Sequence, residues 1–122
     1  MNLNVAAKYR NVQISTGNPA ALVAMLFDGA LRFAAEAKDA LAKRDPARAG
    51  DRIGRCHAVV SHLASTLDKR HAPEMCDNLE AVYGFCMRRL VEANLAQSAD
   101  MVAEVVRALT PLRDAWATLA RA

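Results

Sequence analysis

Leu79 to Leu95 carries apolar residues on more of its circumference than one packing seam requires. At about 3.6 residues per turn, Leu79, Val82, Tyr83, Cys86, Leu90 and Ala93 share one face, as in a helix turned toward a core. Stepping by four from Tyr83 gives Met87, Val91 and Leu95, a second apolar track that winds off the first. Arg88, Arg89 and Glu92 keep the remaining side in water, with Phe85 among them. Such surplus apolar surface implies a wide core stripe, a dimer seam or a different partner.

Three more helices are predicted around this one. Asn18-Pro19 supplies a cap and a proline at the first helical position, where its missing N–H costs nothing. From there Leu22, Leu26, Gly29, Phe33, Ala37 and Ala40 keep the helical period as far as about Lys43, with Gly29 read as a point of close approach for a neighbour. Val23, Phe27 and Leu31 step by four along a flank, joined by Ala30 and Ala34, which makes a second surplus track. Asp45-Pro46 repeats the start signal, and Ala49, Ile53, Cys56, Val60, Leu63 and Leu67 form a single seam. The chain breaks around Lys69 to Pro73 and restarts with Pro73 and Glu74. Ser98 caps a fourth helix with Asp100 in its first turn, and Val102, Val105, Leu109, Leu112, Trp116 and Leu119 mark its inner side. Pro111 predicts a kink between Arg107 and Pro111, because it removes a backbone bond and crowds the preceding turn. Residues 1–17 alternate polar and apolar positions and end in Thr16-Gly17, which predicts an N-terminal arm ahead of a domain spanning 18–122.

Helices of this length, each about 35 Å long, joined by short connections leave antiparallel neighbours as the simple solution. The expected fold is all-α, an up-down-up-down four-helix bundle with an N-terminal arm. Composition agrees: 53% of the 122 residues are hydrophobic but only 5% aromatic, a mix that favours helix over strand. In this topology the first and third helices are diagonal, so a partner using both surplus tracks has to wrap around the bundle.

The net charge of +3 comes from basic residues scattered through every segment, which gives no support to nucleic-acid binding. No apolar run approaches the ~20 residues of a membrane span, and the N-terminus lacks the form of a signal peptide, so a cytoplasmic protein is expected. Cys56, Cys76 and Cys86 match neither a zinc pattern nor a redox pair and are expected to be buried or idle thiols. His57 and His62 stand five apart and fall on different faces, so they do not form an i, i+4 metal pair. A histidine phosphotransfer module is an alternative for a four-helix domain. Val60 and Ser65, however, occupy the places where a lysine would steady the phosphate. No di-iron ligand set or phosphate loop is present either. Neither catalysis nor a cofactor is expected. A homodimeric structural bundle whose surplus tracks meet their own copies is the other alternative.

Tyr9 followed by Val12-Gln13-Ile14, then Asn18-Pro19 and Met25-Leu26-Phe27-Asp28-Gly29-Ala30 with Arg32-Phe33, form an ordered set of motifs. Met87-Arg88-Arg89-Leu90-Val91-Glu92-Ala93-Asn94 and Arg113-Asp114-Ala115-Trp116 continue it over almost the whole chain. Together they resemble the flagellar secretion chaperone family, FliS. The resemblance implies a cytoplasmic bundle that holds the disordered C-terminal segment of flagellin, prevents premature polymerisation and delivers it to the flagellar type III export apparatus. On geometry the client-binding residues are expected to be Leu22, Val23, Phe27 and Leu31 on the first helix and Met87, Val91, Asn94 and Leu95 on the third. The resemblance further implies that the arm, through Tyr9, Val12 and Ile14, covers part of the client surface and touches the export apparatus.

Overall fold

A computed structural model describes residues 18–122. The arm residues Tyr9, Val12 and Ile14 lie outside the described residues. Four helices follow one another: α1 (Pro19–Ala42), α2 (Pro46–Ser65), α3 (Pro73–Ala96) and α4 (Ala99–Arg121). Three of their starts follow from side-chain capping. The Asn18 side chain accepts from the Ala21 N–H at 3.2 Å, Asp45 from that of Arg48 at 3.1 Å, and Ser98 from that of Met101 at 3.2 Å. α3 has no such cap. It begins after Ala72, which sits in the left-handed region at φ 51°, with Pro73 at the first helical position and Glu74 in the first turn.

α2 ends earlier than its apolar period suggests. The Leu67 N–H turns back to the Ala64 carbonyl and the Thr66 hydroxyl donates to that of Leu63 at 2.7 Å, so Leu67 packs against the core from the connection. α4 is helical through Pro111 without interruption, and Pro111 itself is exposed. The unbonded carbonyl that proline leaves behind belongs to Arg107, also on the exposed side, where water can serve it.

Each helix packs on its chain neighbours and α1 also on α4, while α1 and α3 are diagonal. The backbones of α1 and its two neighbours run closer together than those of α3 and its two. Side-chain size explains the difference. The buried stripe of α1 is Ala20, Ala24, Phe27, Ala30, Ala34, Ala37 and Ala40, and alanine lets backbones approach. α3 instead buries Tyr83, Cys86 and Leu90, which hold it off. Phe27 is the one large side chain of the α1 stripe. It reaches across the diagonal to Tyr83, with ring centroids 6.4 Å apart.

This stripe corrects the expectation for α1 in part: Ala37 and Ala40 of the expected inner face are buried, but Phe27, Ala30 and Ala34 of the flank join them in place of Leu22, Leu26, Gly29 and Phe33. Phe27, assigned to the client surface, is 0% exposed in the centre of the core. Leu26 and Phe33 are half-buried and pack against the core from its edge. Leu22 is half-buried, and a Cβ built on Gly29 meets nothing within 4 Å, so that glycine is not a close approach within the monomer. The physical reason is that the summed hydrophobicity of a face does not decide which face turns inward. The tighter fit of alanines between two near neighbours does.

Ion pairs on the outside tie α4 to both neighbours. Arg113 reaches Asp28 of α1 at 2.7 Å and Arg89 of α3 reaches Glu104 of α4 at 2.8 Å. In the core, burial pushes the Cys56 thiol up to about 12, with a smaller contribution from Cys86; burial likewise pushes the Cys86 thiol to about 11 and the Tyr83 hydroxyl to about 12. All three lie above their ordinary values of 9.0 for a thiol and 10.0 for a phenol. Below pH 9 folded and unfolded chains both keep these protons, and stability is undiminished. Above it the unfolded chain releases protons that the folded one retains, so stability falls as pH rises from about 9 toward 12. The urea midpoint is expected to hold at pH 8 and drop steadily above pH 9; a midpoint unchanged to pH 11 would contradict this.

Candidate client groove

The surplus track of α3 remains outside the bundle. Val91 is 51% exposed and Leu95 82%, while Met87 is half-buried and packed on the core's edge. Helical geometry accounts for the gradation. Tyr83, Cys86, Leu90 and Ala93 face inward, and Met87, Val91 and Leu95 rotate away from them toward solvent on the α2 side.

Because α3 stands off from α2, this track borders a groove. One hollow of about 570 Å³ is lined by His57 of α2 and Met87, Arg88, Val91 and Glu92 of α3. A second of about 280 Å³ continues along the same seam between Gly50, Ile53, Gly54 and His57 on one wall and Val91, Asn94 and Leu95 on the other. His57 and Val91 line both, so the two form one trough. Its wall on α2 is low because Gly50 and Gly54 stand one turn apart. The Asn94 side chain lies over Gly50, its Oδ1 3.5 Å from where a Cβ would be, and nothing approaches Gly54 within 4 Å. A further hollow of about 410 Å³, between Leu41, Arg44, Pro46 and Gln97, lies at the end of the bundle and shares no residue with the trough.

All four α3 residues expected at the client surface, Met87, Val91, Asn94 and Leu95, therefore line this trough. The α1 residues do not join them. Leu22 is half-buried, as are Val23 and Leu31, which pack against the core's edge. Phe27 is inside. Glu36 reaches Arg52 of α2 at 3.6 Å, whereas Asp28, on the opposite flank, reaches Arg113 of α4. Helical spacing puts Leu22, Leu26, Gly29 and Phe33 on the Glu36 side, a second, shallower apolar strip beside α2. Sequence reasoning missed the α2 wall, having read α2 as a single seam. The signal was present: Gly50 and Gly54 at helical spacing, flanking His57, remove the side chains that would otherwise cover the α3 track.

The charges around the trough are mostly committed. Arg89 holds Glu92 at 3.5 Å as well as Glu104, and Asp51 is held by Arg52 and Arg55 at 3.1 and 3.0 Å. The lining presents apolar side chains, two glycines, the Asn94 carboxamide and one imidazole, with Arg88 and Glu92 beside them on α3. That arrangement suits an amphipathic segment laid along it and contains no nucleophile activated by a neighbouring base.

Comparison with known proteins agrees with the motifs. The family profile described as Flagellar protein FliS matches residues 1–122. The Bacillus subtilis protein named flagellar secretion chaperone FliS is 31% identical over 113 residues, covering 93% of this chain and 84% of its own. The Campylobacter jejuni protein of the same name is 32% identical over 108 residues, 88% of this chain and 84% of its own. Flagellar secretion chaperone FliSB of Pseudomonas aeruginosa is 30% identical over 104 residues, 85% and 82% respectively. With its motifs, its helical bundle and a match along its whole length in agreement, the chain belongs to the flagellar secretion chaperone family FliS.

Proposed function

We propose that this protein is a cytoplasmic export chaperone whose α2–α3 trough holds the C-terminal segment of flagellin as a helix, keeps it from polymerising and carries it to the flagellar type III export apparatus. The observation that supports this reading most directly is the apolar track Met87–Val91–Leu95, half-buried at Met87 and open at Val91 and Leu95, beside a trough with a glycine wall. A filament subunit polymerises through the apolar face of its terminal segment, so a chaperone that covers that face keeps the subunit single. The segment loses chain entropy when it folds onto the trough, which moderates affinity and permits later release. Covering Val91 and Leu95 contributes a few kcal/mol at ~25 cal/mol per Å², before those ordering costs are subtracted. The half-buried strip of Leu22, Leu26 and Phe33 gives a second, weaker contact for a client that wraps around α2. Tyr9, Val12 and Ile14 enter this proposal as the arm's contact with the export apparatus, on the family resemblance alone.

The test is a titration with a synthetic peptide spanning the C-terminal segment of the flagellin of the same organism. One-to-one binding with a gain of helical circular dichroism is expected. No binding at micromolar concentration would refute the proposal.

A further inference from the structure

Two exposed features of the trough bear on how a client would seat in it. Glycine inside a helix is destabilising relative to alanine because it has more chain entropy to lose, and it is tolerated where a neighbour leaves no room for a Cβ. At Gly54 no neighbour does so; a Cβ there meets nothing within 4 Å. The second feature is Arg88. Its guanidinium folds back over Gly84, Nη1 lying 3.3 Å from where a Cβ would stand, and among the described residues it has no carboxylate partner. Glu92, one helical turn further on and lining the same hollow, is engaged by Arg89. The trough thus combines a bare patch on its α2 wall with an uncommitted positive charge on its α3 rim.

Taking the trough as the client site, we infer that Gly54 and Arg88 set the register of the bound segment. The client is an amphipathic helix that seats a bulky apolar side chain against Gly54 and offers Arg88 a carboxylate from the edge of the same face. The apolar contact requires that the α2 wall carry no side chain at that level. A guanidinium accepts a carboxylate in two parallel hydrogen bonds, so the pair fixes rotation as well as position. Apolar area supplies the attraction along the whole trough but not the register, since Met87, Val91 and Leu95 would accept a helix shifted by one turn. The two non-apolar features break that equivalence.

The experiment uses the full chain and the flagellin C-terminal peptide, read by fluorescence anisotropy alongside the melting temperature of each variant. Gly54→Leu is expected to weaken binding about tenfold or more while leaving the melting temperature unchanged or higher. Arg88→Glu is expected to weaken it about tenfold, and replacing one particular Asp or Glu of the peptide by Lys restores affinity for that variant. General electrostatic steering would be restored equally by lysine at any acidic position, and that outcome overturns the Arg88 assignment. If both variants bind as wild type does while Val91→Asp abolishes binding, the inference fails and the trough remains the client site. If the wild-type chain does not bind the peptide, the reading of the trough fails and the inference goes with it.

Discussion

Phe27→Ala is expected to cost the bundle about 3–5 kcal/mol, read as a drop in melting temperature of roughly 10–20 °C. Phe27 is the only large side chain on the buried stripe of α1; the other members are all alanines, and none can move to fill the space it would leave. Across the core it meets the Tyr83 ring of the diagonal helix, so its removal uncouples α1 from α3 at the one level where a ring contact joins them. The loss is a large part of the ~5–15 kcal/mol available to a domain of ordinary stability. Any weakening of client binding by this variant should then follow its unfolded fraction and vanish at temperatures where the variant is fully folded. A Phe27→Ala protein with wild-type melting temperature and lost client binding would instead return Phe27 to the surface, against its complete burial.

The opposite pattern is expected at the trough. In the double variant Val91→Asp, Leu95→Asp the folded state should survive, because Leu95 is largely and Val91 half in water before the change and neither belongs to the core. Client binding should fall by about a hundredfold or more. Two anchors of the bound face are lost, together worth a few kcal/mol at ~25 cal/mol per Å² when covered, and two carboxylates would have to be stripped of water to let the client helix down. Arg88 on the adjacent turn relieves part of that cost but offers one guanidinium for two acids. Melting temperature within a few degrees of wild type together with abolished binding would fit a docking surface. Unchanged binding would mean that the flagellin segment uses another face, and the shallower strip of Leu22, Leu26 and Phe33 would be the next to test with the same substitution.

Taken together, the two variants separate a core residue from a surface residue that share the same four-residue spacing in sequence. That spacing was the only signal by which Phe27 and Val91 were both placed on surplus tracks, and it could not distinguish them. On α3 the inward face is crowded with Tyr83, Cys86 and Leu90, so the extra track has no place inside and stays out. On α1 the two tracks carry two alanines each, and the bundle draws in the face that unites all four with Ala20, Ala24 and Phe27, because small side chains let α2 and α4 close upon it.

Much about this protein was determined by the sequence by itself. Asn18-Pro19, Asp45-Pro46, Pro73 and Ser98 mark the four helix starts through local capping and fixed φ, effects that act within a single turn and need no partner. The inner seams of α2 and α3 follow from periodicity, and short connections leave an antiparallel bundle with α1 and α3 diagonal. Family membership rests on ordered motifs and is likewise local information. Tertiary structure decided which face of α1 turns inward, how far α3 stands from its neighbours, and that Gly50, Gly54 and His57 of α2 form the second wall beside Met87, Val91 and Leu95. These depend on the fit of side-chain volumes between helices distant in sequence, and one helix's own pattern carries no record of the volumes it will meet.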